Sequence, residues 1–167
     1  MPKKPRLDTI TDNEIKKLVK ELNKKSEFYG HDCYKIAEYF VECGNADEAC
    51  EWYNEGAGEG NYSCQYRLGK AYEDGFFTKK DKSAVLFQKN VKEAIKLYEK
   101  AEIFYSISSI YYNGEGVKQD YKLAFKYAKM DAEKIKGQFH PSSILARLYF
   151  YGQGCERSYK DAFICYR

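Results

Sequence analysis

The residues able to do chemistry in this chain are few, and their spacing decides against most reactions. Only two histidines occur, His31 and His140. Neither belongs to a His-Glu-x-x-His pair, which would set two imidazoles and a carboxylate on one helix face around zinc. His31, Asp32 and Cys33, with Cys43 or Cys50, supply metal-ligating types, but their spacing fits no zinc finger. The preferred reading is a surface histidine at a helix start beside buried thiols. His140-Pro141 reads as a loop before a helix, because proline suits the first helical turn. No Ser-x-x-Lys and no Gly-x-Ser-x-Gly is present, so a serine nucleophile with its positioned base is missing. The glycines Gly56, Gly58 and Gly60 fall at a junction between helical segments rather than after a strand, which argues against a phosphate-binding loop. No catalytic residue, metal or cofactor is expected.

Six cysteines raise the question of a disulfide framework. Cys33, Cys43, Cys50, Cys64, Cys155 and Cys165 follow no repeating interval, and no Cys-x-x-Cys occurs. Reduced thiols acting as small apolar residues are the preferred reading. Disulfides Cys43–Cys50 and Cys155–Cys165, each flanking a turn between helices, are the alternative. A redox sensor is its functional form.

The elements that must carry these residues are helical. Pro is rare, with 3 in 167 residues, and Lys, Glu, Ala and Leu are abundant. Tyr reaches 17, which suits half-buried helix packing with the ring inside and the hydroxyl in water. Charged residues make up 32% of the chain, mixed in sign, for a net charge of +3. That small excess argues against a nucleic-acid binder. Nothing at the N-terminus has the apolar length of a signal peptide, and no run is long enough to span a bilayer. A cytoplasmic location is expected, although delivery by a specialised secretion system leaves no trace in such a sequence.

One phrase recurs. Leu68-Gly69-Lys70-Ala71-Tyr72-Glu73-Asp74-Gly75 returns at Ile107–Gly114 and again at Leu145–Gly152, with its last glycines 39 and 38 residues apart. A degenerate copy runs from Ala37 to Gly44, with Val41 in the Tyr slot. After each phrase comes an alanine-centred one. Asp120 and Ser158, at a natural N-cap position, precede Ala124 and Ala162 by four residues. An aromatic follows each alanine on the same helical face: Trp52 and Tyr53, Tyr98, Tyr127, Tyr166. Small residues at Gly69, Ser108 and Ala146 let helices approach closely. Tyr72, Tyr111 and Tyr149 fill the gap one turn later. Gly75, Gly114 and Gly152 end the helix in a left-handed conformation. One such hairpin cannot bury its apolar face alone, so neighbours must stack.

The organisation expected is a disordered tail over residues 1–10 and a capping helix over 12–25, opened by a Thr11-x-x-Glu14 capping box. Together these make up residues 1–30. About four repeats follow, at 31–57, 61–101, 103–135 and 141–167. The second carries an insertion over 76–90. The last stops at Arg167, short of the usual end of its second helix, as a fragment or a frayed repeat would.

Gly60, Cys64, Leu68, Gly69, Tyr72 and Gly75, then Tyr111, Gly114, Gly116, Val117, Asp120 and Ala124, resemble the two halves of the Sel-one-like repeat, a relative of the TPR. Cys64 stands in an alanine slot. The first repeat lacks the Gly-x-Gly-Val turn, and the second is nine residues longer between Gly75 and Ala94 than its siblings. The resemblance implies an all-α, right-handed α-solenoid of stacked antiparallel helix pairs that serves as a non-catalytic adaptor or scaffold. A secreted, cysteine-rich branch of that family with weak β-lactam binding pairs its cysteines regularly, and this chain does not.

In such a solenoid the exposed columns of the first helices are the place to hold a partner. Read in register, they are Lys70, Ser109 and Arg147; Glu73, Tyr112 and Phe150; and Asp74, Asn113 and Tyr151. Aromatic rings beside arginine make a hot-spot composition. The alternative is that these residues cover neighbouring helices or a missing C-terminal repeat. Phe76 and Phe77, in the insertion, are further candidates for docking. The insertion equally suits an extended helix packed on the chain's own surface. Its lysines at 79, 80, 82 and 89 read as a solvated face. The expected ligand is a protein or peptide, not a nucleic acid or a small-molecule substrate. A secreted effector or a toxin-immunity protein is the alternative within the same repeat class. A weak β-lactam hydrolase is the enzyme alternative, and the nucleophile or metal it needs is not found.

Overall fold

In the computed structural model, residues 10–78, 84–86, 88–134 and 142–166 are described, with side chains left out over 76–87. The chain divides into an N-terminal unit, 1–101, and a C-terminal unit, 102–167. Among the described residues there are nine helices and one short β-hairpin.

The N-terminal unit opens with α1 (Asn13–Glu21). Its cap is Asp12, whose carboxylate accepts from the N–H groups of Glu14 and Ile15. The capping box expected at Thr11 does not form. Thr11 is engaged elsewhere: its N–H donates to the Tyr39 hydroxyl at 3.0 Å, and the adjacent carboxylate is the stronger acceptor for helix N–H groups. Ile10, placed by the sequence in a disordered tail, is buried at the start of this unit's core. The rest of that tail lies outside the described residues.

Next come α2 (Tyr29–Glu42) and α3 (Ala46–Gly58), a hairpin closed by the turn at Gly44. α4 (Tyr62–Asp74) and α5 (Val91–Lys100) form a second hairpin that stacks on the first. Ile36, Ala37, Phe40, Ala49, Trp52, Tyr53, Cys64, Leu68 and Ala71 make one continuous core. Small residues set the helix spacing. A Cβ at Gly69 would lie 2.7 Å from Cε1 of the buried Tyr98. Burying a ring of that size contributes about 2 kcal/mol, and only the missing methyl makes room for it.

The insertion after α4 does not extend the helix. Gly75 adopts a left-handed conformation, φ 84°, and stops it. Then β1 (Phe76–Thr78) pairs antiparallel with β2 (Ala84–Leu86), with Phe77 opposite Val85. Aromatic and β-branched residues on either side of a charged segment favour a hairpin over a helix. The lysines at 79, 80 and 82 lie outside the described residues.

The C-terminal unit holds two hairpins, α6 (Phe104–Asn113) with α7 (Tyr121–Glu133) and α8 (Ser143–Tyr151) with α9 (Tyr159–Tyr166). Asp120 caps α7 through the N–H groups of Lys122 and Leu123. Ser142 caps α8, and Gly114 and Gly152 end α6 and α8 in the left-handed region. Ala124, Ala128, Ala132, Leu145, Ala146, Leu148 and Cys165 form this unit's own core. Ser108 is fully buried and donates to the carbonyl of Ala124 at 2.9 Å, so the close approach of α6 and α7 leaves no hydroxyl unsatisfied.

Candidate functional site

The repeat register gives each first helix one outward face of four positions. On α4 these are Tyr66, Lys70, Glu73 and Asp74. On α6 they are Tyr105, Ser109, Tyr112 and Asn113. On α8 they are Ser143, Arg147, Phe150 and Tyr151. The spacing i, i+4, i+7, i+8 keeps each set on one helical stripe.

The α4 face is internally satisfied. Lys70 Nζ lies 3.3 Å from Glu73 and 3.1 Å from Asp74. Burial lowers the Lys70 pKa, but the two carboxylates outweigh it and hold the ammonium above its ordinary value. Glu73 also accepts from the Tyr98 hydroxyl at 2.6 Å. Nearby, Arg67 of α4 grips Glu38 of α2 through two nitrogens, at 2.7 and 3.2 Å, and Tyr53 donates to the same carboxylate. This bidentate clamp ties successive first helices together. It is a half-buried structural pair, and it consumes the polar groups that a ligand would need.

The face of the C-terminal unit is different. The Arg147 guanidinium lies 5.0 Å from the centre of the Tyr112 ring, and Tyr112 meets Tyr121 edge-on at 5.6 Å. Asn113 is exposed and bonds Ser109 and Glu115. Phe150 and Tyr151 are 45% and 62% exposed, with ring centres 5.0 Å apart. Phe150 also meets Tyr159 of α9 at 5.3 Å. Arg147, Tyr112, Phe150 and Tyr151 therefore share one side of this unit. Lys70 and Glu73 belong to the other unit. Phe76 and Phe77 stand on β1, and their side chains lie outside the described part of the structure.

Some exposed residues escaped the sequence reading: Tyr159, Phe163 and Ile164 on α9, and Tyr62, Tyr66 and Tyr105 on first helices. Tyr166, expected to share the face of Ala162, is 59% exposed instead, while Ala162 and Cys165 are the buried residues of α9. The signal for Tyr66 and Tyr105 was present: each sits four residues before Lys70 and Ser109, one turn back along the same stripe. Arg157, 5.4 Å from the Tyr159 ring, was missed because it lies in the loop before α9 and outside the repeated phrase.

Among the described residues no group of three or more His, Cys, Asp and Glu side chains gathers as metal ligands. His140 lies outside the described residues. All six cysteines are free. Burial pushes the Cys33, Cys64 and Cys165 thiols up to about 11, 12 and 11, away from the thiolate that a nucleophile needs. An open cleft of about 540 Å³ is lined by Phe125, Tyr149, Cys155, Arg157, Ser158 and Asp161. Burial, then Asp161, raises the Cys155 thiol there as well. No helix among the described residues is long and apolar enough to cross a membrane.

The Sel1 repeat family model matches residues 32–61, 63–84, 87–102, 104–133 and 144–167. A crystal structure of a Sel1 repeat protein from Oxalobacter formigenes superposes with a TM-score of 0.64 at 24% identity, covering 82% of this chain and 56% of its own. The chain thus spans little more than half of that protein, and the likeness shows the fold. A protective antigen present in uropathogenic Escherichia coli strains, described as displaying an SLR fold, is 21% identical over 81% of this chain and 37% of its own, with a TM-score of 0.35. No curated protein gives a significant match.

Proposed function

We propose that this chain, which belongs to the Sel1 repeat family, is a non-catalytic scaffold that holds a partner protein or peptide on the outward faces of its first helices. Sel1 repeats mediate protein–protein interaction, and proteins built from them are in general scaffolds rather than enzymes. The observation that carries the reading here is the α8 face. Phe150 and Tyr151 stand exposed beside Arg147, while the neighbouring Leu145, Ala146 and Leu148 of the same helix are buried. The helix therefore has its apolar stripe covered already, and the two rings leave much of their area open to solvent. Exposed aromatic area beside a guanidinium is the composition of binding hot spots.

The test is affinity capture from source lysate with the parent chain and with an Arg147→Glu, Tyr112→Ala variant, read by mass spectrometry. A protein enriched by the parent and lost by a variant of unchanged helicity supports the scaffold and names its partner. Identical captures by both would remove this face from the function.

A further inference from the structure

Matching positions on α4 and α8 handle positive charge in opposite ways. Lys70 is neutralised within its own helix by Glu73 and Asp74. Arg147 holds the equivalent place on α8, and its neighbours three and four residues on are Phe150 and Tyr151, which carry no charge. Its guanidinium rests on the Tyr112 ring instead. Arg157 repeats the arrangement over Tyr159, and Tyr159 in turn meets Phe150. Both arginines are exposed, and neither forms an ion pair among the described residues. Apart from these two, residues 102–167 hold eight Lys and Arg against seven Asp and Glu, so the surrounding charge does not cancel them.

A ring face holds a guanidinium in place without using its N–H groups. The planar fork stays available for a carboxylate, which it matches with two parallel hydrogen bonds. Phe150, Tyr151 and Tyr159 link the two cations with exposed aromatic area. We infer that this side of the C-terminal unit is a site for an acidic peptide segment: Arg147 and Arg157 take its carboxylates, and the rings of Phe150, Tyr151 and Tyr159 take an apolar side chain. The inference rests on the scaffold reading and narrows its partner to a chemical class. A nucleic-acid strand fits less well, because Glu156 and Asp161 interrupt the positive surface beside Arg157 and the chain's net charge is only +3: two separate guanidinium forks suit isolated carboxylates spaced along a short peptide, not an unbroken phosphate track.

The test is fluorescence anisotropy on the whole chain with labelled synthetic peptides: an acidic one with Asp and Glu around a Phe-Leu pair, and its Asn/Gln and Lys counterparts. A single-stranded oligonucleotide serves as the competing anion. The acidic peptide is expected to bind about tenfold more tightly than the amide version and to weaken as salt rises. Arg147→Met and Arg157→Met should each weaken it about three- to tenfold, while Lys96→Met on α5 leaves it unchanged. Circular dichroism checks the folding of each variant, and Arg147→Lys, which keeps the charge but loses the fork, should fall between parent and Met. Equal affinity for acidic and amide peptides overturns the inference, as do affinities unmoved in both arginine variants or tighter binding of the oligonucleotide. A dimer by light scattering that Phe150→Ser and Tyr151→Ser disperse would give this face to a second copy and overturn it too. A captured partner that depends on Arg147 and Tyr112, combined with no preference for acidic peptides, removes the acidic class and leaves the scaffold standing.

Discussion

Tyr98 is held from two sides, and each side makes a prediction. Its ring fills the space left by Gly69, and its hydroxyl donates to Glu73. The ring is fully buried and tethered, so it cannot swing away from an added methyl. Gly69→Ala should therefore destabilise the N-terminal unit by about 1–3 kcal/mol in urea unfolding, despite the better helix propensity of alanine. A neutral or stabilising result would mean that the ring gives way. Burial first, then Glu73, also raises the Tyr98 phenol well above 10.0, and burial and Glu38 do the same to Tyr53. The sign follows from the protonated form being the one favoured in the folded state. The contribution is whole below the unfolded phenol value and is lost as pH rises beyond it. Stability should fall steeply above about pH 10, and Tyr53→Phe and Tyr98→Phe should each flatten that fall in thermal melts. The register of these residues was legible because Gly, Tyr and Ala recur at fixed offsets. The tether to Glu73 was not, since a carboxylate on an exposed-looking column gives no sign that a phenol from the next helix will claim it.

The junctions between first and second helices show how an element absorbs an insertion. The carbonyls of Tyr111 and Tyr149 accept from the N–H groups of Asp120 and Ser158, both at 3.0 Å. The carbonyl of Tyr72 accepts from Asn90 at 2.7 Å, across nine more residues. The β1–β2 hairpin is thus looped out between the two ends of a junction that recurs in this chain, and Asn90 caps α5 as Asp120 caps α7. The lengthened spacing marks the extra residues, and an extended helix and a docking segment were both open to them. Helical and strand patterns are alike over such short apolar runs, and only Gly75 stops the helix. In the junction before α9, Gly154 has φ 73°, and a Cβ there would lie 2.1 Å from the carbonyl oxygen of Tyr121. That oxygen is backbone at the start of α7 and cannot retreat. Gly154→Ala should cost about 3 kcal/mol or more, read as a lowered melting temperature. Gly58, with open space around it, is the control: Gly58→Ala should be neutral or slightly stabilising.

At the scale of the molecule, the two units own separate cores, and their cysteines report on them independently. Cys33 and Cys64 are buried in the N-terminal unit, and Cys165 in the C-terminal one. All three carry thiols that burial raises, so at about pH 8 they react only when the surrounding core opens. Cys43 is exposed and should react at once with a thiol reagent in the native protein. Peptide mass spectrometry over a labelling time course separates the sites. In a chain built by stacking repeats, stability is a sum of local terms and neighbour interfaces, so damage should stay near its source. Gly69→Ala should hasten labelling of Cys33 and Cys64 more than of Cys165. Gly154→Ala should do the reverse. Equal acceleration of all three buried thiols by either substitution would show that the units open as one cooperative block. A partner bound to the α8 face would then stabilise the whole chain, whereas independent units would confine that gain to Cys165.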